Sequence, residues 1–302
     1  MIDLDPIGEL HLAQARRHLT AGSGLVSRDG HLFVISDEEL ALAAFEGGDP
    51  AAGRLHALAD AELPEEPAER KAAKPDLEAL CELPPTPAWP HGALLALGSG
   101  ATEQRERGWL CPLGEGCRLG EPIEISLSDV YERLRAELDD LNVEGAAVAG
   151  DRLWLAQRGN GARGVNALVA LDLGPALRGL AERRALPAKI TGLTEYELGS
   201  MSGVMLGFSD LAPLPDGRLA FTAVAEAGES TYLDGDCVGA ALGTVEPGAR
   251  RVPALLPLSE PHKVEGLAVT GLSGQRASLL FVADPDDPAR PAPLFAASAD
   301  LP

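Results

Sequence analysis

Four acids stand at the heads of short apolar runs: Glu78, Glu144, Asp210 and Glu265. The pattern is clearest in Asn142-Val143-Glu144-Gly145-Ala146-Ala147-Val148 and Lys263-Val264-Glu265-Gly266-Leu267-Ala268-Val269. Ser23 holds the same place before Gly24-Leu25-Val26, and the five heads are 55, 66, 66 and 55 residues apart. Four carboxylates gathered in a low-dielectric site repel one another and persist only by taking up protons or cations. An all-oxygen acidic ring suits Ca2+ or Mg2+. Glu78, Glu144, Asp210 and Glu265 are therefore expected as metal ligands. Lys74, Lys263, Arg105 and Arg158 lie near the same motifs and are the alternative partners, as are backbone N–H groups of neighbouring strands.

A second polar set ends the strands that follow the heads: Asp37, Ser99, Arg158, Glu226 and Asp284. Antiparallel pairing brings the end of a second strand back to the start of the first, so both sets are expected at one place. For a hydrolytic site, Arg158 and Arg105 would hold an anion and Glu226 would act as base. Lys74, Ser99, Asn160, Asn166, Lys263 and Asp284 are expected as ligand-binding residues. Gly98-Ser99-Gly100 with Arg105 and Arg107 offers amides and guanidinium groups to a phosphate, although the spacing is not that of a P-loop. Ser99 lacks the Gly-x-Ser-x-Gly setting of a hydrolase nucleophile. No histidine pair has transition-metal spacing, and His262 alone adjoins a head.

The elements that must position these residues are strand pairs. Asp29-Gly30 and Asp216-Gly217 sit between apolar runs, a strong hairpin signal. A head repeated with several short strands per copy is the signature of a β-propeller. The chain reads as one all-β domain spanning residues 1–302, with five blades favoured and a sixth conceivable from the termini or between Leu173 and Gly207. The innermost strand of each blade lines a central channel, so the heads should converge at one channel mouth. Residues 128–138 read as a short helix, with Ser128 as N-cap and Val130, Leu134 and Leu138 on one face. Leu177 to Leu186 suggests another. Ile7 to Leu19 suits either a closing strand or a short helix, and Glu62 to Asp76 a charged connection.

The formal charge of −21 excludes a phosphate-backbone partner and disfavours an anionic membrane surface. Neither a secretory leader nor a membrane-spanning run is visible, which predicts a cytoplasmic protein. Cys81, Cys111, Cys117 and Cys237 are irregularly spaced and read as thiols, with a Cys111–Cys117 disulfide as the alternative.

Several stretches carry a resemblance: Lys74-Pro75-Asp76-Leu77-Glu78-Ala79-Leu80, Leu97-Gly98-Ser99-Gly100 with Arg105, Asn142-Val143-Glu144-Gly145, Arg158-Gly159-Asn160, Ala223-Val224-Ala225-Glu226 and Lys263-Val264-Glu265-Gly266. From about Ser23 to Leu294 the chain resembles a family of bacterial β-propeller proteins of unknown function. It is more distantly similar to esterase-like phytase propellers and to metal-dependent lactonase propellers. In the lactonases, channel acids and an asparagine hold a divalent cation that polarises a carbonyl. The resemblance implies a propeller; by analogy it implies a Ca2+- or Mg2+-dependent hydrolase of a small ester, lactone or phosphoester. The chain differs from the lactonases in its many cationic neighbours and in lacking an evident catalytic histidine. The alternative is a non-catalytic ligand-binding or scaffold propeller whose head acids are paired with Lys and Arg.

Overall fold

A computed structural model of the 302-residue chain describes residues 1–13, 17–61, 63–159, 164–227 and 235–302. Five four-stranded antiparallel sheets form the blades of a propeller. Their innermost strands are Gly22–Arg28, Leu77–Leu83, Val143–Ala149, Gly207–Pro213 and Lys263–Ser273. Each packs against the innermost strand of the next blade, and the last packs on the first. The described residues hold no sixth blade. Those between Leu173 and Gly207 form the helix Leu173–Arg183, the outer strand Ile190–Tyr196 of blade three, and a small hairpin of Ser200–Met201 with Val204–Met205.

Both chain ends build blade five. Asp5–Glu9 pairs antiparallel with Pro293–Asp300 as that blade's outermost strand, with Asp5 opposite Ala296 and Glu9 opposite Pro293. Of the segment Ile7 to Leu19, Ile7 to Glu9 lies in this closing strand, while His11–Leu12 pairs antiparallel with Arg17–His18. The Asp29-Gly30 hairpin forms as its dipeptide requires, with φ of 48° and 77°. Leu, Ala and Val fill the spaces between blades. Leu95, Leu97 and Leu110 of blade two meet Leu153, Leu155 and Val169 of blade three. Each such leucine stabilises the ring by about 1.5–3 kcal/mol relative to exposure.

The helix Ser128–Arg135 buries Val130, Tyr131 and Leu134, with Leu138 buried beyond its end. Ser128 is its first helical residue and not its cap; Leu127 holds the cap position, and Ser126 Oγ accepts the Ser128 N–H at 3.4 Å. The charged connection between blades one and two contains the helix Pro67–Ala73. All four cysteines are free thiols, so the Cys111–Cys117 disulfide does not form.

One irregularity recurs in every blade. The ladder between the first two strands skips a residue near the strand's start, a β-bulge. The residues left unpaired are Ser23, Glu78, Glu144, Ser209 and Glu265. Four are the heads read from the sequence. In blade four the bulge holds Ser209, and Asp210 sits one residue further on, opposite Thr222. A slip of one residue reverses the facing of a strand side chain, and this takes Asp210 out of the ring of heads.

Candidate site at the channel mouth

The bulges place the head side chains at one mouth of the channel, and the second strands end beside them. Leu77 pairs with Gly98, so Ser99 follows at the mouth; Lys263 pairs directly with Asp284. The polar groups fall into two clusters.

The first spans blades one and two. Pro75 keeps Lys74 extended (ψ 141°) and is followed by Asp76 in the left-handed region, φ 54°. That conformation is costly for a residue with a Cβ, and Asp76 is held there by three partners. Ser99 Oγ donates to its Oδ2 at 2.6 Å, Arg105 Nη1 lies 2.6 Å from Oδ2, and Lys74 Nζ lies 3.5 Å from Oδ1. Lys74 Nζ also donates to Asp37 Oδ2 and, at 2.8 Å, to Glu38 Oε1. Burial works against the Lys74 ammonium, but Asp37 and Asp76 outweigh it and hold its pKa above the ordinary lysine value. Burial pushes the Asp37 carboxyl up to about 7; Lys74 opposes the rise, and Glu38 and Asp76 add to it. Among the described residues, Asp37 Oδ1 is buried without a hydrogen-bond partner.

Glu78 differs from all its neighbours. Among the described residues no side chain or backbone amide pairs with it. Burial raises its pKa well above the carboxylate range, and repulsion from Asp76, Glu144 and Asp37 adds to the rise. Carboxylate oxygens of Asp37, Asp76 and Glu78 lie within 4.8 Å of one another.

The second cluster spans blades three to five. Arg158 Nη2 donates to Glu226 Oε2 at 2.5 Å, and its Nη1 lies 3.5 Å from Glu144 Oε2. Asn142 Nδ2 donates to Glu144 Oε1 at 2.6 Å. Lys263 Nζ lies 3.2 Å from Glu226 Oε1, 3.3 Å from Glu265 Oε1, 3.5 Å from Asp284 Oδ2 and 2.9 Å from Asp286 Oδ1. Burial lifts the Glu144 carboxyl to about 7, with Arg158 opposing and Glu226 adding to the rise. Burial likewise raises Glu265 well above its ordinary value, Lys263 opposing and Asp284 adding to the rise. Among the described residues nine carboxyl groups (Asp37, Glu38, Asp76, Glu78, Glu144, Glu226, Glu265, Asp284, Asp286) thus face five cations, Arg70, Lys74, Arg105, Arg158 and Lys263. Beside them opens a cavity of about 900 Å3 lined in part by Asp37, Arg70, Asp236, Asp284, Asp286 and Asp287.

The mouth therefore gathers Glu78, Glu144, Glu265, Lys74, Ser99, Arg105, Arg158, Glu226, Lys263 and Asp284. Asp210 is absent from it: this fully buried acid accepts the Leu211 and Leu267 amides at 2.7 and 2.6 Å. Glu226 has an ion pair on each oxygen, which makes it a positioner of Arg158 and Lys263 before it could serve as a base. Asn166 accepts the Gly159 and Phe208 amides at 2.9 and 3.2 Å and donates to Leu206 O at 2.8 Å. It pins the turn after Arg158 against blade four. Asn160 lies outside the described residues. The Gly98-Ser99-Gly100 amides do not form a phosphate cradle: Ser99 N–H donates to Asp76 O at 2.9 Å and Gly100 N–H to Arg105 O at 3.1 Å. Gly98 is small because a Cβ there would stand 2.5 Å from Arg105 O and 2.6 Å from Pro75 O.

Asp76, Asn142, Glu38 and Gly207 were not singled out as site residues by the sequence. The first two precede a head by two residues, as Lys263 does, and strand side chains two apart share a face. That spacing is a usable signal. Gly207 holds the same offset before Ser209, and its missing Cβ leaves room for Arg158, whose Cγ would otherwise be 2.8 Å away. Nothing local marks Glu38.

Among solved structures, the fold resembles that of a luciferin-regenerating enzyme (TM-score 0.48, 10% identity, 99% of this chain and 95% of that one). It also resembles a GH43 β-1,3-galactosidase solved with galactodeoxynojirimycin (TM-score 0.50, 8% identity, 97% and 94%). A second GH43 β-1,3-galactosidase gives a TM-score of 0.49 at 7% identity, over 97% of this chain and 59% of that one. At these identities the likeness is one of fold. No curated protein matches the sequence. Residues 18–298 match the family of unknown function DUF6929, and the chain belongs to that family.

Proposed function

We propose that the channel mouth binds a divalent cation, Ca2+ or Mg2+, at Asp37, Asp76 and Glu78, and uses it to hold an oxygen-bearing small molecule. The observation that carries this reading is Glu78, a carboxyl group without a partner among the described residues, set within 4.8 Å of carboxylate oxygens of two other acids. Three carboxylates leave positions open on an ion that takes six or more oxygen ligands. Lys74 now occupies part of this space. It would yield Asp37 and Asp76 to a cation and keep Glu38, 2.8 Å away.

On this reading the chemistry is hydrolysis of a small ester, lactone or phosphoester. A bound cation would polarise the carbonyl or phosphoryl oxygen. Arg158 and Lys263, held by Glu226, would supply positive charge toward the developing anion. A second, non-catalytic reading rests on the other cluster, where Glu144 and Glu265 each have a cationic partner. The excess carboxylates would then receive an ammonium or guanidinium group of a ligand.

Metal analysis of the purified protein, with melting curves in Ca2+, in Mg2+ and in EDTA, tests the cation. The expected result is a rise in melting temperature with one of the two ions, reversed by EDTA and absent in Glu78→Gln. No bound metal and no shift with either ion would sink the cation reading and leave the second one standing.

A further inference from the structure

The residues that follow the bulges are Gly24, Ala79, Gly145, Asp210 and Gly266. At three of them the reason for a small residue is steric. A Cβ on Gly145 would stand 2.8 Å from the Leu211 nitrogen, one on Gly266 2.9 Å from Leu25 Cβ, and one on Gly24 3.0 Å from Leu80 Cβ. Each of those atoms belongs to the next blade's innermost strand. Asp210 breaks the rule at the junction of blades four and five, and it is completely buried.

Its partners explain the exception. Asp210 Oδ1 accepts the Leu211 N–H at 2.7 Å and Oδ2 the Leu267 N–H at 2.6 Å; burial raises its carboxyl well above the ordinary range, and these two amides, and more weakly that of Leu25, oppose the rise. Leu211, Leu267 and Leu25 occupy one register position in three consecutive blades, opposite Phe221, Phe281 and Val34. The innermost strand of a blade is a sheet edge, so alternate N–H groups face the channel without a strand partner. Left buried and unpaired, such donors are destabilising. Amides converging from several strands form a concavity that favours an anion.

We infer that the channel axis carries a backbone anion site one residue below the mouth, and that Asp210 fills it from within. The carboxylate clasps the innermost strands of blades four and five, which carry Ser209 and Glu265 at their bulges, and faces the Leu25 amide of blade one. This inference concerns the axis and does not rest on cation binding at the mouth.

Asp210→Ala removes the carboxylate and leaves the donors in place. Its thermal unfolding is followed in increasing sodium formate, beside the wild type in the same salt and an Asp210→Leu variant that fills the gap with apolar atoms. The expected result is a melting temperature lowered by roughly 5–10 °C. Formate recovers at least half of this in a saturating manner, with no comparable gain for the wild type or Asp210→Leu. An alanine variant as stable as the wild type, or formate acting alike on all three proteins, would overturn the inference. Should the alanine variant not fold, amide-resolved hydrogen exchange on the wild type decides. The Leu25, Leu211 and Leu267 amides should be protected as well as strand-paired amides, and exchange at the rate of exposed edge amides would refute the clasp.

Discussion

Glu78 and Asp210 are acids on innermost strands of the same channel, close to one level, and they are opposites. Asp210 is fully buried; burial lifts its carboxyl well above the ordinary range, and the backbone amides of Leu211 and Leu267, accepted at 2.7 and 2.6 Å, oppose the rise. Glu78 faces the mouth among other acids with no partner among the described residues, and it is raised first by burial and then by their repulsion. The difference teaches that burial of an acid is not in itself a functional signal. What separates a clasp from a candidate site is whether the protein itself supplies the compensating charge. Asp210 has its partners within the strands of the axis, whereas at the mouth the described residues set nine carboxyl groups against five cations.

If that contrast is right, substitutions at the two levels should behave differently. The largest effect is expected at the axis. Asp210→Ala strands charge-assisted donors in the interior and should cost about 4 kcal/mol in chemical denaturation. Arg158→Met comes next. It leaves Glu144 and Glu226 without their guanidinium and should cost about 3 kcal/mol. Glu226→Gln, which keeps a polar group beside Arg158 and Lys263, should cost less than half as much in the same assay.

The third prediction concerns pH. Glu144 has a folded pKa of about 7, above the unfolded value near 4.3. Between these values the folded state binds more protons than the unfolded state, so its contribution to stability falls as pH rises. The slope should be up to about 1.4 kcal/mol per pH unit between pH 4 and 7. Measured by denaturation at pH 5, 6 and 7, it should diminish in Glu144→Gln. An unchanged slope in that variant would move the proton uptake to another group. The smallest effect is expected at Glu78. In EDTA at neutral pH, Glu78→Gln should leave stability unchanged or raise it by up to about 1 kcal/mol, because it removes a repelled group with no partner to lose. A loss of several kcal/mol would show that Glu78 has a structural partner after all and would erase the contrast with Asp210.

Much of the fold was legible in the sequence. The repeated heads and the Asp-Gly hairpins marked the five blades because turn chemistry and apolar runs are local properties. The meeting of heads with second-strand ends followed from antiparallel pairing alone. What stayed hidden depended on register and on distant partners. Ser209 and Asp210 are adjacent polar residues, and a bulge inserts one extra residue, so counting along the strand could not say which of them faces the mouth. The Arg158–Glu226 pair joins residues 68 apart in sequence, and Lys263 gathers acids from two blades. No local pattern encodes such a pairing, and so the sequence could list acids and cations without saying that Glu78 would be left over. Asp76 lay in plain view two residues before Glu78; its importance depends on the left-handed turn after Pro75, which brings it to Ser99 and Arg105.

The most direct test of the incomplete mouth is calorimetric titration of the EDTA-stripped protein with Ca2+ and with Mg2+, run in parallel on the wild type, Glu78→Gln and Asp210→Asn. Saturable binding of one ion to the wild type is predicted, lost in Glu78→Gln and retained by any folded Asp210→Asn protein. Equal binding by the wild type and Glu78→Gln, or no binding by the wild type, would contradict it.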